Sequence, residues 1–295
     1  MIYDICHITT YAHLTPVASM RCTMHLLPRN DCGQSVIASS VDITPAPRVM
    51  RERLDFFGNR VVDAHVARPH RDLDITLRAR VRVARPPAPA AALTPDWEAT
   101  RKAALNVASL ASRSPAHWIF SSRLAPLCEP VTDYARKSFP AGRPVLEGAL
   151  DLTRRMHADF TYDPEATHVR TPLSEAFEKR SGVCQDFAHI MIAGLRGLGL
   201  AAGYVSGYLR TVPAPGQPLR EGADASHAWT SVWCGAEFGW IDLDPTNALL
   251  VENEHIVTAV GRDYADVAPV SGVVLGGGRQ DLDVRVDVTP VNGDV

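Results

Sequence analysis

The sequence predicts an α+β protein, with a β-rich, sandwich-like N-terminal domain ahead of a unit that mixes helices and strands. Three observations carry that prediction. From Tyr3 to about Arg85 the chain runs in short period-two stretches rich in Val, Ile and Thr. Arg85-Pro86-Pro87-Ala88-Pro89 then breaks regular structure and reads as a linker. Beyond it, helical spacing around 145–158 and after Cys184 gives way to alternating strands from Ala202 onward. The expected division is a β domain over 1–85, a linker and helical region over 86–143, and a core over 144–295 that includes the C-terminal strands.

In the N-terminal part, Val36–Ile43 and Leu73–Val83 are the clearest strands, and Phe57-Gly58-Asn59-Arg60 has the chemistry of a tight turn. Thr94-Pro95-Asp96-Trp97-Glu98 supplies an N-cap, a proline at the first helical position and early acids. Leu146, Ala149, Leu152, Met156 and Phe160 recur every three to four residues, as a helix requires. The same period runs through Phe187, Ile190, Met191, Leu195 and Leu198 until Gly197 and Gly199 end it. Strands follow at Ala202–Arg210, Ala225–Cys234, Phe238–Asp244 and Leu282–Val288. The polar, Gly-bearing segment Gly216–Asp224 reads as a mobile loop. No internal repeat is present.

Composition narrows the function classes. The 295 residues are 46% hydrophobic and 21% charged, ordinary for a globular chain, and the net charge of -3 offers nothing to a nucleic acid. The arginines between Arg68 and Arg85 are interrupted by Asp72 and Asp74, which suits a solvated strand face. Neither a signal peptide nor a run of ~18 apolar residues is visible, so no membrane is expected as a partner. Six cysteines (6, 22, 32, 128, 184 and 234) lie without paired spacing and read as reduced thiols, so a cytoplasmic location is expected.

Chemistry concentrates at three places. Cys184 stands in Ser181-Gly182-Val183-Cys184-Gln185-Asp186, where a glycine-bearing turn enters a helix. A helix N-terminus and a neighbouring imidazolium both favour the thiolate. A lone cysteine is more often a buried apolar residue, but partners downstream change that judgement. His227 opens an alternating strand, with Trp229 and Trp233 on the same face. His189 lies five residues past Cys184, about 140° around the helix, and is excluded as its base. Asp186 points about 200° away and serves the helix start instead. If Cys234 and Gly239 close a four-residue loop, Trp229 lies opposite Asp244, which places His227 one diagonal step, about 7–8 Å, from Asp244. Asp242 would then be roughly 13 Å away, whereas a two-residue loop would reverse the choice. Pro245, ending the strand beside Asp244, favours the longer loop.

Cys184, His227 and Asp244 are therefore the expected catalytic residues of thiol acyl transfer. The backbone N–H groups of Cys184 and Gln185 are the default oxyanion donors. Tyr162 is a hydroxyl candidate, and Trp229 a candidate for the substrate surface. No cofactor or metal is expected, because Cys184, His189 and Cys234 have no recognised ligand spacing.

The segments Arg180–Ala188, Leu195–Gly199, Tyr204–Tyr208, His227-Ala228-Trp229 and Trp240–Asn247 closely resemble those of the bacterial transglutaminase-like superfamily. Tyr11, Pro28-Arg29, Gln34 and Phe57-Gly58-Asn59 are similar to the β-rich region that accompanies that core, and Gly261–Pro269 to its C-terminal motif. The resemblance implies a papain-like core, a helical layer carrying Cys184 packed on an antiparallel sheet carrying His227 and Asp244. It assigns the aspartate to the residue before Pro-Thr, here Asp244. Glu178 stands where papain peptidases carry their oxyanion glutamine, which leaves the oxyanion donor open. Because the superfamily holds peptidases, cross-linking enzymes, deamidases and inactive members, three expectations stand. Hydrolysis of a peptide or amide bond comes first, glutamine–amine cross-linking second and a non-catalytic binding module third. In the first two the partner is a peptide or protein presenting a backbone or side-chain amide. Substrate identity, oligomeric state and the N-terminal domain's task are not legible.

Overall fold

The computed structural model describes residues 1–31, 33–210 and 225–291. The loop expected at Gly216–Asp224 lies outside the described residues. The N-terminal part contains β1 (Ile2–Met24), β2 (Gln34–Thr44), β3 (Val49–Leu54), β4 (Arg60–Val66) and β5 (His70–Val83). They join an antiparallel sheet in the order β2-β5-β1-β4-β3. Strict alternation along β1 turns Tyr3, Ile5 and Tyr11 to the interior, where they meet Leu73, Ile75, Leu77 and Val81 from β5.

The helical part follows as α1 (Trp97–Leu105), α2 (Glu129–Arg136) and α3 (Val145–Asp159). The first begins later than expected. Asp96, not Thr94, caps α1 by accepting from the Ala99 N–H at 2.6 Å, while Thr94 accepts from the Leu146 N–H at the head of α3. Next come β6 (Thr161–Tyr162), α4 (Leu173–Lys179), β7 (Ser181–Gly182) and α5 (Cys184–Gly197). The second sheet holds β8 (Ala202–Leu209), β9 (Ala225–Trp233), β10 (Trp240–Asp244), β11 (Leu249–Leu250) and β12 (His255–Gly261) in the order β11-β10-β9-β8-β12. Phe187, Met191 and Leu195 of α5 cover one face of this sheet, on Ala202, Tyr204, Ala228 and Val232. On the other face Val205, Trp229, Trp233 and Val257 pack with Trp118 and Phe57.

Two boundaries differ from the sequence reading. Val131 and Ala135 of α2 belong to the same apolar cluster as α5, so the unit built on the second sheet starts before residue 144. After the short α6 (Tyr264–Val267), β13 (Val270–Gly276) and β14 (Gln280–Pro290) pair with β1, not with the second sheet. The 23-residue β1 has an edge long enough to take both. The C-terminal strands thus complete the N-terminal sheet, and the unit built on the second sheet is held between the two ends of the chain.

Two side-chain amides join the sheets. Gln34 donates to the Val257 carbonyl at 2.7 Å and accepts from the Val257 N–H at 2.8 Å, as a neighbouring strand would. Asn59 does the same for Val260, 2.8 Å in each direction. Both amides are buried and close backbone groups on the outer edge of β12. Replacing Gln34 with Leu keeps the bulk and removes the amide from the Val257 N–H and the Arg29 C=O, while the Val257 C=O keeps the Arg29 N–H at 3.1 Å. Each unsatisfied group costs about 1–3 kcal/mol, so urea unfolding should show a loss of roughly 2–5 kcal/mol. A loss below about 0.5 kcal/mol would mean the clamp contributes little.

Candidate active site

Cys184 is the first residue of α5, partly exposed at the helix N-terminus. Its turn is held from below by Asp186, whose carboxylate accepts from the Val183 N–H at 2.9 Å and the Thr167 hydroxyl at 2.6 Å. Gly182 is required here, since a β-carbon would come within 2.5 Å of that carboxylate. The N–H groups of Cys184 and Gln185 belong to the first turn, where no intrahelical carbonyl precedes them.

The β9–β10 hairpin has the longer loop. Trp240 pairs with Trp233 and Asp242 with Ser231, and the Cys234 N–H donates to the Gly239 carbonyl at 2.8 Å. This register brings His227 to Asp244, with Nε2 2.7 Å from Oδ2. An ionised carboxylate only accepts, so His227 donates from Nε2, which leaves Nδ1 as the ring nitrogen available to the Cys184 thiol, close enough to favour the imidazolium. Burial opposes protonation of His227, but its bonds to Asp244 and Cys184 outweigh that and raise its pKa to about 10. Burial would raise the pKa of Asp244, yet the donors around it hold the carboxyl well below the usual range. Those donors include the Asn247 side chain at 2.7 Å and the Thr246 N–H at 2.9 Å.

The remaining expected residues divide. Tyr162 is 55% exposed and close enough to Cys184 to sense its charge; its backbone pairs with Gly182. Gln185 is partly exposed beside Cys184. Trp229 is corrected: it is fully buried, so it offers no substrate surface, and its indole N–H donates to Asp242 at 3.1 Å. The strand face it shares with His227 turns inward to the Trp118–Val257 cluster. Asp242 serves that indole and lies 3.8 Å from the Arg85 guanidinium. His189 accepts from the Tyr264 N–H at 3.1 Å, with burial depressing its pKa to about 4.

Sequence reasoning missed His255, whose Nε2 is 3.2 Å from Asp244 Oδ2. Histidine at a strand start carries no local signal, and only the curl of the sheet brings β12 to β10. It also missed Tyr204 and Tyr264, both near enough to Cys184 for its charge to oppose their ionisation, after burial. The ligand-type atoms of His227, Asp244 and His255 lie within 4.8 Å of one another. Asp244 Oδ2 already accepts three N–H groups there, and the trio reads as a hydrogen-bonded set. A cavity of about 640 Å³ lies elsewhere, between Arg85–Pro89 and Trp240–Asp242, and contains none of Cys184, His227 or Asp244.

Comparison with known proteins identifies the family. Residues 3–82 match the bacterial transglutaminase-like N-terminal region, and residues 132–245 the transglutaminase-like superfamily. An uncharacterized protein of Mycobacterium tuberculosis is 42% identical, with 99% of this chain and 94% of that one aligned. A protein-glutamine gamma-glutamyltransferase of Pseudomonas aeruginosa is 31% identical over 139 residues, 40% of this chain and 20% of that enzyme. The crystal structure of a candidate cysteine protease from Cytophaga hutchinsonii shares the fold with a TM-score of 0.76. It is 21% identical, with 100% of this chain and 92% of that one covered. The chain belongs to the transglutaminase-like superfamily.

Iodoacetamide reads the thiol's environment directly. Burial pushes the thiols of Cys22 and Cys234 up to about 11 and about 12, so both should label slowly in the folded protein. Cys184, beside an imidazolium, should label faster at pH 7 than these and than Cys6 and Cys128, which are partly exposed like it. Labelling at Cys184 no faster than at Cys6 would count against a reactive pair.

Proposed function

We propose that this protein catalyses thiol-dependent acyl transfer on amides, with hydrolysis of a peptide or side-chain amide as its reaction. The observation that carries the reading is the His227 Nε2–Asp244 Oδ2 bond, with the Cys184 side chain near enough to the same imidazole to favour its protonation. Cys184 Sγ attacks the amide carbonyl, and the N–H groups of Cys184 and Gln185 are the donors offered to the oxyanion. His227 delivers its Nδ1 proton to the leaving amine as the C–N bond breaks, which leaves a thioester. It then takes a proton from the water that attacks the thioester, and the acid and the thiol are released. Asp244 fixes the tautomer throughout.

A second reading, transfer of a glutamine acyl group to a primary amine, is favoured by the local similarity to the Pseudomonas aeruginosa glutamyltransferase. The two differ only in what intercepts the thioester. Mass spectrometry of peptide mixtures incubated with the protein, with and without a primary amine, separates them, because cleavage, deamidation and amine incorporation change mass differently. No change in any peptide that is lost in Cys184→Ala would reject both.

The two aspartates should behave differently. Asp244→Asn keeps size and loses the charge that stabilises the imidazolium, so turnover should fall roughly 100- to 10,000-fold in a folded protein. Asp242→Asn should change turnover by less than about tenfold. Equal losses would reject the assignment.

A pH profile tests the role of His227. Its protonated form is the acid that releases the amine, and its pKa is raised to about 10. Turnover should therefore persist above the ordinary histidine range and decline only as pH climbs toward 10. An alkaline limb centred near ~6.5 would contradict this.

A further inference from the structure

We propose that His255 is a positioning residue of this site: its Nε2–H holds the Asp244 carboxylate in the orientation that meets His227. The inference rests on the acyl-transfer reading and extends it by one residue. His255 opens β12 and is 2% exposed. Its ring lies edge-on to Trp229, 5.1 Å between centroids, and 6.0 Å from the ring of His227. Nε2 is 3.2 Å from Asp244 Oδ2, while Nδ1 has no hydrogen-bond partner among the described residues.

That unmatched nitrogen is the informative feature. Leaving a buried polar atom unsatisfied is unfavourable, and a phenylalanine or leucine would fill the same place against Trp229 without that cost. What the imidazole adds over an apolar side chain is the one N–H aimed at Asp244. The other donors to this carboxylate, apart from His227, are Thr246 and Asn247, which lie within three residues of it and move with its turn. His255 instead comes from a different strand, so it fixes the carboxylate relative to the sheet.

The strand that carries it is itself fixed. The Arg85 guanidinium donates to the His255 carbonyl at 3.2 Å, and Gln34 bonds both backbone groups of Val257 two residues on. The charged and titratable groups around the pair are Cys184, Asp244, Asp242 across the Trp229 ring, and Arg85. The N-terminal domain thereby takes part in holding the site through Gln34 and β12.

The test needs no substrate: the ring nitrogens of His227 are titrated by NMR in the ¹⁵N-histidine-labelled protein. His255→Phe keeps the ring against Trp229 and removes the donor that orients Asp244, so the carboxylate meets His227 less well. The His227 midpoint should fall by roughly half to one pH unit. His255→Gln, whose Nε2 can occupy the same place, should restore a midpoint near that of the unaltered protein, and His255→Asn, with a shorter reach, should not. A midpoint unchanged or raised in His255→Phe overturns the proposal, whether or not the melting temperature falls, since a filler would affect stability alone and a mere competitor for the charge would raise the midpoint. If His255→Phe fails to fold, equal midpoints in the Gln and Asn variants overturn it. If His227 of the unaltered protein titrates near ~6.5, the acyl-transfer reading itself fails, separately from His255.

Discussion

The buried negative charge of Asp244 is the constraint around which the site is arranged. Taking a carboxylate fully out of water costs several kcal/mol unless its lone pairs are met. Here five donors meet them: His227, His255 and the Asn247 side chain on Oδ2, and the N–H groups of Thr246 and Asn247 on Oδ1. They come from β9, from β12 and from the turn that follows β10. The hairpin register, the turn sequence after Pro245 and the curl of the sheet must all be correct before this charge is tolerable. Once satisfied, it can only remain an anion, which is what an imidazolium partner needs.

The same logic explains why a β domain and the far end of the chain enclose the transglutaminase-like unit. The outer edge of β12 would present unpaired backbone groups, and β12 carries His255 at its start. Gln34 and Asn59 meet that edge with side-chain amides, which fix register as a strand would without lengthening the sheet. Arg29 supports Asn59 by donating to its side-chain oxygen and to the Phe57 carbonyl at 3.0 Å. Among the residues that carry the N-terminal resemblance, Arg29, Gln34, Phe57 and Asn59 are therefore ones that dock one domain on the other.

What the sequence disclosed was what local spacing encodes. Cys184 announced itself by a turn running into a helix, His227 by strand alternation, and Asp244 by a hairpin count that Pro245 helped to settle. Each of these depends on residues a few positions apart. His255 and the pairing of β13 and β14 with β1 depend on contacts between remote segments, and no periodicity reports them. Trp229 was misjudged for a related reason: alternation groups residues by face but does not say which face is interior. Gln34 and Asn59 stood out by resemblance alone, because an amide bonded to a backbone edge has no sequence period.

Asp242 and Asp244 show how much a two-residue step decides. Both lie on the same side of β10, and both are acids in the same short motif. Asp244, at 0% exposure, receives two imidazoles, whereas Asp242 receives the Trp229 indole and lies near Arg85, at the rim of the cavity beside the linker. Asp242 is thus tied to the site only through the Trp229 ring, which stands between it and the two histidines. An acid in that place can hold a ring in position, but it has no direct bond through which to share the charge of His227. The division of labour follows from register: pairing Asp242 with Ser231 leaves Asp244 as the acid one diagonal step from His227.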